Sequence, residues 1–338
     1  MPCPPESSNV QGLVFGTDGL LHGASFGKDV WVFTYDPQQE RFVSIRNLFE
    51  HGRPDGSFFN GSLAATAENK FTVSYLSPVK GHLYGLGGMF IWQSTKPTSS
   101  SKDGYHSIAS ASSDFVALVG DPKSPFLYGL SAESSVIRYK VGKNTFGNAK
   151  DLGKTWTNLQ PYNAEPKNLP RVLILDAERT LYTTGKDGFI FRGSNEEKTF
   201  MDKVARAPFE PGREQFASLD AAVLGPDGLI YGGTFDGYVF TFNPKTNEVI
   251  NLGKPLRDGG IQGLAFSKGK LIGIGGAENA PQVFAFDLKT RGFELAGALK
   301  TADGKIITSE IGAMVADKNG NIYVGTTGKQ GGFFVCAQ

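Results

Sequence analysis

The stretch "DGLIYGGTFDGYVFTFNPKTNEVINLG", Asp227–Gly253, decides the fold. An Asp-Gly turn leads into a short apolar strand. A second glycine turn leads into an alternating strand, Tyr-Val-Phe-Thr-Phe, and an Asn-Pro turn returns the chain for one more strand. The opening part of this unit recurs along the chain, as "DGLLHGAS", "KGHLYGLGG", "SPFLYGLS", "RTLYTTGKDG", "GKLIGIGG" and "GNIYVGTTG". Its anchor residues are Leu21, Leu83, Leu127, Leu181, Ile230, Ile272 and Ile322, spaced 42 to 62 residues apart. Units of this length with several short strands are the signature of propeller blades. The third-strand pattern also recurs, in "VWVFTYDPQQERF" and "QVFAFDLKTRGFEL". The sequence therefore predicts an all-β, seven-bladed β-propeller forming a single domain over residues 1–338, with no helix.

The composition agrees. Of 338 residues, 44 are Gly and 37 are Phe or Tyr, which suits short strands and tight turns. The net charge is +1 and no run of lysine or arginine stands out, so no electrostatic footprint for nucleic acid or a membrane surface is present. No apolar run approaches the roughly 18 residues that span a bilayer. The opening "MPCPPESSNV" lacks an apolar signal-peptide core, so the sequence reads as intracellular or as a mature chain. The last unit stops at "GGFFVCAQ" without room for a fourth strand. Closure is expected by residues 1–9 pairing with the C-terminal blade, which would bring Cys3 beside Cys336 for a disulfide worth about 4–5 kcal/mol in the chain-entropy model.

In a propeller, the loops from one blade's outer strand to the next blade's inner strand gather on one face, over the channel mouth. Several are long here, including "EHGRPDGSFFNGS", "KTWTNLQPYNAEPKNLP" and "VARAPFEPGREQF", and long loops in a compact repeat carry function. "SKDGYHSIASASS", Ser101–Ser113, reads as another such loop, bringing Tyr105 and His106 to that face. His51 lies in a crossing loop too. His22 replaces the tyrosine of other units and reads as a packing residue, and His82 falls in a turn on the opposite face. Ten residues before each anchor lie Gln11, Val73, Ala117, Arg171, Asp220, Gln262 and Gly312. "VQGLVF" and "IQGLAF" align in this register, so Gln11, Arg171, Asp220 and Gln262 are expected to ring the channel mouth, with Arg213 of "PGREQF" able to join them. Solvation alone would also account for polar residues at strand entrances.

No zinc spacing, EF-hand loop, phosphate cradle or GxSxG elbow is present, so no metal or cofactor is expected beyond a structural ion in the channel, whose presence the sequence leaves open. A histidine, a tyrosine and arginines suit proton transfer on an anionic substrate: arginine neutralises a carboxylate and so acidifies the adjacent C–H, and histidine moves the proton.

With "DGYHSIAS" before the third unit and Arg171 heading the fourth, the chain resembles the L-rhamnose-α-1,4-D-glucuronate lyases, relatives of the propeller α-L-rhamnosidases. The resemblance implies a secreted, monomeric enzyme that removes terminal rhamnose from glucuronate on plant gum side chains by β-elimination, with His106 as the key reagent. The resemblance carries over His106 alone; the residues themselves place Tyr105 and Arg171 beside it as catalytic, and Arg213, Gln11, Asp220, Gln262 and His51 as binding the polysaccharide. The sequon Asn60-Gly61-Ser62 accords with secretion. A rhamnosidase, a calcium-dependent lactonase and a non-enzymatic scaffold or lectin are the competing readings.

Overall fold

The computed structural model describes residues 7–27, 30–47, 63–66, 70–75, 88–93, 106–108, 115–121, 123–131, 134–140, 150–155, 171–185, 187–193, 201–277, 280–328 and 331–336. The chain is an all-β propeller. Sheet 1 contains β1 (Ser7–Phe15), β2 (Leu21–Gly27), β3 (Val30–Asp36) and β4 (Arg41–Asn47). Sheet 2 contains β5 (Leu63–Thr66), β6 (Lys70–Tyr75), β7 (Gly88–Gln93) and β8 (His106–Ile108). Sheet 3 contains β9 (Phe115–Gly120), β10 (Phe126–Ser131), β11 (Ser135–Lys140) and β12 (Lys150–Lys154). Sheet 4 contains β13 (Ile174–Leu175), β14 (Leu181–Thr184), β15 (Phe189–Gly193) and β16 (Met201–Arg206). Sheet 5 contains β17 (Leu219–Leu224), β18 (Ile230–Thr234), β19 (Val239–Phe242) and β20 (Val249–Gly253). Sheet 6 contains β21 (Gly260–Ser267), β22 (Lys270–Gly276), β23 (Gln282–Asp287) and β24 (Gly292–Ala298). Sheet 7 has three strands, β25 (Ile311–Ala316), β26 (Ile322–Thr326) and β27 (Phe333–Cys336). Each is an antiparallel meander in chain order. Among the described residues the one helical element is a single 3-10 turn, Glu214–Phe216.

The repeated residues have physical roles. In the Asp-Gly turn before the second strand, the aspartate accepts from a backbone N–H two residues on: Asp18 from Leu20, Asp227 from Leu229. Gly19 and Gly228 then take φ near +78°, open to glycine at little cost. The aspartate's other oxygen holds the repeat tyrosine, as Tyr231 donates to Asp227 at 2.8 Å and Tyr323 to Asp317 at 3.2 Å. The unit glycine lies directly across from a third-strand phenylalanine: Gly23 from Phe33, Gly232 from Phe240, Gly273 from Phe284. In each pair the ring occupies the space a Cβ would need. The repeat thus alternates a missing side chain with a large one across adjacent strands, and buries the ring between sheets.

The first strands line the centre. β1 packs on β5, β5 on β9, β13 on β17, β17 on β21, β21 on β25, and β25 back on β1. Closure differs from the sequence expectation in its means. Six sheets have four strands, and the expected seventh four-stranded blade stops at three. Residues 7–9 are already committed to β1, which pairs with β2 in its own sheet, so they do not complete the last one. Cys336 is a free thiol, and Cys3 lies outside the described residues. Packing closes the circuit. Gly312 and Gly325 carry no side chain where the Val10 carbonyl approaches them. The rings of Phe33 and Tyr35 meet Phe333 at 5.5 and 5.2 Å, and Asn9 accepts the Gly328 N–H at 2.6 Å. Val10, Leu13, Leu21, Tyr323 and Phe333 form one buried cluster across the join.

Sheet 2 also departs from the sequence register. "KFTVSY" is its second strand, β6, not the first, which places Val73 off the channel lining and leaves the anchor Leu83 outside the described residues. His106 opens β8, the outermost strand of that sheet, paired opposite Ile91. The expected crossing loop over the channel is therefore a rim strand at this point. Three residues are too few to show a strand period, which is why "HSI" reads as loop.

Candidate functional site

The channel mouth is built by backbone irregularity. In β1, Val10 pairs with Ser25 and Gly12 with Ala24, so Gln11 is the extra residue of a β-bulge. The same break isolates Asp220 between Leu219 and Ala221, Gln262 between Ile261 and Gly263, and Gly312 between Ile311 and Ala313. Four first strands thus carry a bulge at one structural position. A bulge re-aims the side chain of its unpaired residue, and here it interrupts strict alternation so that a polar residue can follow a buried one. In sheet 3 the extra residue is Val116, one place before the sequence register's Ala117.

Gln11, Arg171, Asp220 and Gln262 line one cavity of about 250 Å3, with Leu118 and Met314 among its apolar walls. Arg171 precedes β13. Its N–H donates to the Leu219 carbonyl at 3.0 Å, which ties sheet 4 to the bulge of sheet 5. Its Nε lies 3.7 Å from Asp220 Oδ1, and its guanidinium stacks over Phe235 at 5.2 Å. The Arg171 side chain is 44% exposed while that of Asp220 is 4% exposed, so the cation faces the opening and the carboxylate lies beneath it. Burial pushes the Asp220 carboxyl up to about 6, with Glu310 adding to the rise and Arg171 opposing it. Gln262 Oε1 accepts the Ile311 N–H at 3.1 Å, so this side chain bridges β21 to β25 and presents only its amide group elsewhere.

Arg213 sits apart from this cavity, within the crossing segment between β16 and β17. It pairs with Asp236 at 3.1 Å and lies over Phe216 at 5.0 Å. Asp236 is buried and also receives Lys254 at 2.8 Å. Arg213 therefore fastens the crossing segment to the β18–β19 turn and does not join the channel set. His22 is fully buried, with Nδ1 3.2 Å from Thr34 Oγ1 and Nε2 3.6 Å from Asp18. Burial holds its pKa below the usual histidine range. It repeats the Asp–Tyr contact of sheets 5 and 7 with an imidazole, a packing role. Tyr105, His51, His82 and Cys3 lie outside the described residues. Among the described residues no group of three or more His, Cys, Asp and Glu side chains is arranged to hold a metal. No described helix is long and apolar enough to cross a membrane.

Glu310, which acts on Asp220, and the bulge that presents the polar ring were not read from the sequence. The shared "QG" of "VQGLVF" and "IQGLAF" was the available signal for the bulge.

No family model matches this chain, and no curated protein matches it. Solved propeller structures do. The RRP9 WD40 repeats align with a TM-score of 0.61 at 12% identity, covering 95% of this chain and 88% of that one. The structure of U3-55K aligns at 0.60 and 12%, covering 95% and 89%. The extracellular domain of a hybrid two component system from B. thetaiotaomicron aligns at 0.64 and 15%, covering 98% of this chain but 38% of that one. At these identities the likeness defines the class of fold, a β-propeller, and nothing finer.

Proposed function

We propose that the channel mouth binds the carboxylate of a sugar acid and that the protein is a secreted lyase, releasing terminal L-rhamnose from α-1,4-linked D-glucuronate on plant polysaccharide by β-elimination. One observation carries this reading: a buried carboxyl, Asp220, displaced to about 6, lies beneath the half-exposed Arg171 in a polar cavity. Groups poised near neutrality are what proton transfer requires. Arg171 pairs with the substrate carboxylate and so acidifies the C5–H beside it. The Asp220 carboxylate takes that proton, the C5–H electron pair forms a C4=C5 double bond as the C4–O bond breaks, and the acid so formed on Asp220 returns the proton to the departing rhamnose oxygen. Asp220 replaces His106 as base in this scheme because His106 stands on the outermost strand of sheet 2.

A binding propeller without catalysis is the second reading, and it draws on the likeness to WD40 repeats. Incubation with gum arabic separates the readings. Free rhamnose with ultraviolet absorbance of a conjugated uronate marks the lyase. Rhamnose without absorbance marks a hydrolase and overturns the elimination. No rhamnose, with retention on the immobilised gum, marks the binder.

A further inference from the structure

In the complete sheets the fourth strand fills the space between neighbours. Val249 of β20 packs into the cluster shared by sheets 4 and 5, and Leu252 into that of sheets 5 and 6. Leu152 of β12 is fully buried. Among the described residues sheet 7 has no such strand, and a cavity of about 830 Å3 lies between it and sheet 6. Ile272, Ile274, Val283 and Ala285 form one wall, and Met314 and Phe334 the other. Beside it runs β27, paired on one side only among the described residues, with Val335 41% exposed. Lys268, Lys270 and Lys300 edge the cavity, Lys270 with Glu294 at 3.4 Å, and no described acidic residue lines it.

We infer that β27 and this groove take up an extended strand from a partner protein, apolar toward the groove and acidic toward its lysine rim. An unpaired edge offers a row of N–H and C=O groups to an added strand, and alternate side chains then enter pockets. Residues 1–6, "MPCPPE", do not suit the place. Pro2, Pro4 and Pro5 have no N–H to give a ladder. The added strand is thus a segment other than residues 1–6, and the lysines select acidic flanks in it.

The test uses the full chain and a fluorescein-labelled peptide, Glu-Val-Glu-Phe-Thr-Val-Glu, with a same-composition peptide whose apolar residues are consecutive. Fluorescence anisotropy is expected to show saturable binding of the alternating peptide alone. Ala298→Trp, an exposed position lining the groove, is expected to abolish it. The exposed pair Lys268→Glu and Lys300→Glu should weaken it at least tenfold, with melting temperature unchanged in either variant. The peptide should also slow maleimide labelling of Cys336, which lines the groove. No binding at millimolar peptide, or equal binding of both peptides or of all variants, overturns the inference. So does a dimer in which Cys336 is protected, since a second copy then fills the groove. A Cys3–Cys336 disulfide in the peptide map overturns it as well, since the chain's own N-terminus is then the occupant.

Discussion

Replacing Asp220 by Asn removes a buried charge without changing the shape of the side chain, and its effect on stability follows from the proton affinity of that carboxyl. The displacement from 3.8 to about 6 corresponds to about 3 kcal/mol. Asp220 binds its proton more tightly in the folded chain than in the unfolded one. The native state therefore gains stability as pH falls from about 6 toward 3.8, and carries the full cost of the ionised form above that window. Asp220→Asn should thus be more stable than the natural chain near pH 8 by up to about 3 kcal/mol. For a chain of 338 residues this is about 4 °C in melting temperature, using ~2.1 cal/mol/K per residue. Near pH 4 the two proteins should melt together. Other carboxylates titrate at low pH in both proteins, so the difference between the curves isolates Asp220. Scanning fluorimetry across pH 4–8 measures it. Parallel curves for the two proteins would refute the buried, displaced carboxyl. The same substitution should lower lyase turnover by roughly 10²–10⁴-fold, so a variant that is more stable and fully active would remove Asp220 from the chemistry.

Arg171→Ala should raise KM for the uronate substrate and move the acidic limb of the pH–rate profile upward, because the cation that opposes the rise at Asp220 is gone. An unmoved limb would separate the two groups. Arg179→Ala takes the cation from Asp121, a fully buried carboxylate that joins sheet 3 to sheet 4 and keeps Ser124 and the Lys123 N–H as partners. Urea unfolding at pH 7 should show a loss of about 2 kcal/mol. Burial alone would raise the Asp121 carboxyl, but its hydrogen bonds and Arg179 together hold it below the usual range. The stability that ionised Asp121 contributes is therefore present above the ordinary carboxylate pKa and lost as pH falls below it, so the Arg179→Ala deficit should shrink in acid. Gly273→Ala drives a methyl group into the Phe284 ring and should cost roughly 1–3 kcal/mol by thermal unfolding. A neutral result would mean that the ring is free to move aside.

The repeat was legible because its chemistry is local. Asp227, Gly228 and Tyr231 make a turn and its brace within five positions, and the same triplet stands at Asp317, Gly320 and Tyr323 with two residues more. The ring of Gln11, Arg171, Asp220 and Gln262 was legible for the same reason, since first strands that share a register share a height in the channel. Sheet 2 and His106 were not legible. The second strand "KFTVSY" looks like any first strand, and the three residues His106–Ile108 are too short a run to show a strand period.

The sequence by itself determined the strand–turn rhythm, the all-β class and the height of the polar ring, because each rests on contacts between residues close along the chain. Only the tertiary structure decided how the circuit closes, where Arg213 and Gln262 spend their hydrogen bonds, and why Asp220 titrates near 6. These depend on groups from different sheets meeting in space: Val10 on Gly312, Asp236 under Arg213, Arg171 over a carboxylate that burial has cut off from water.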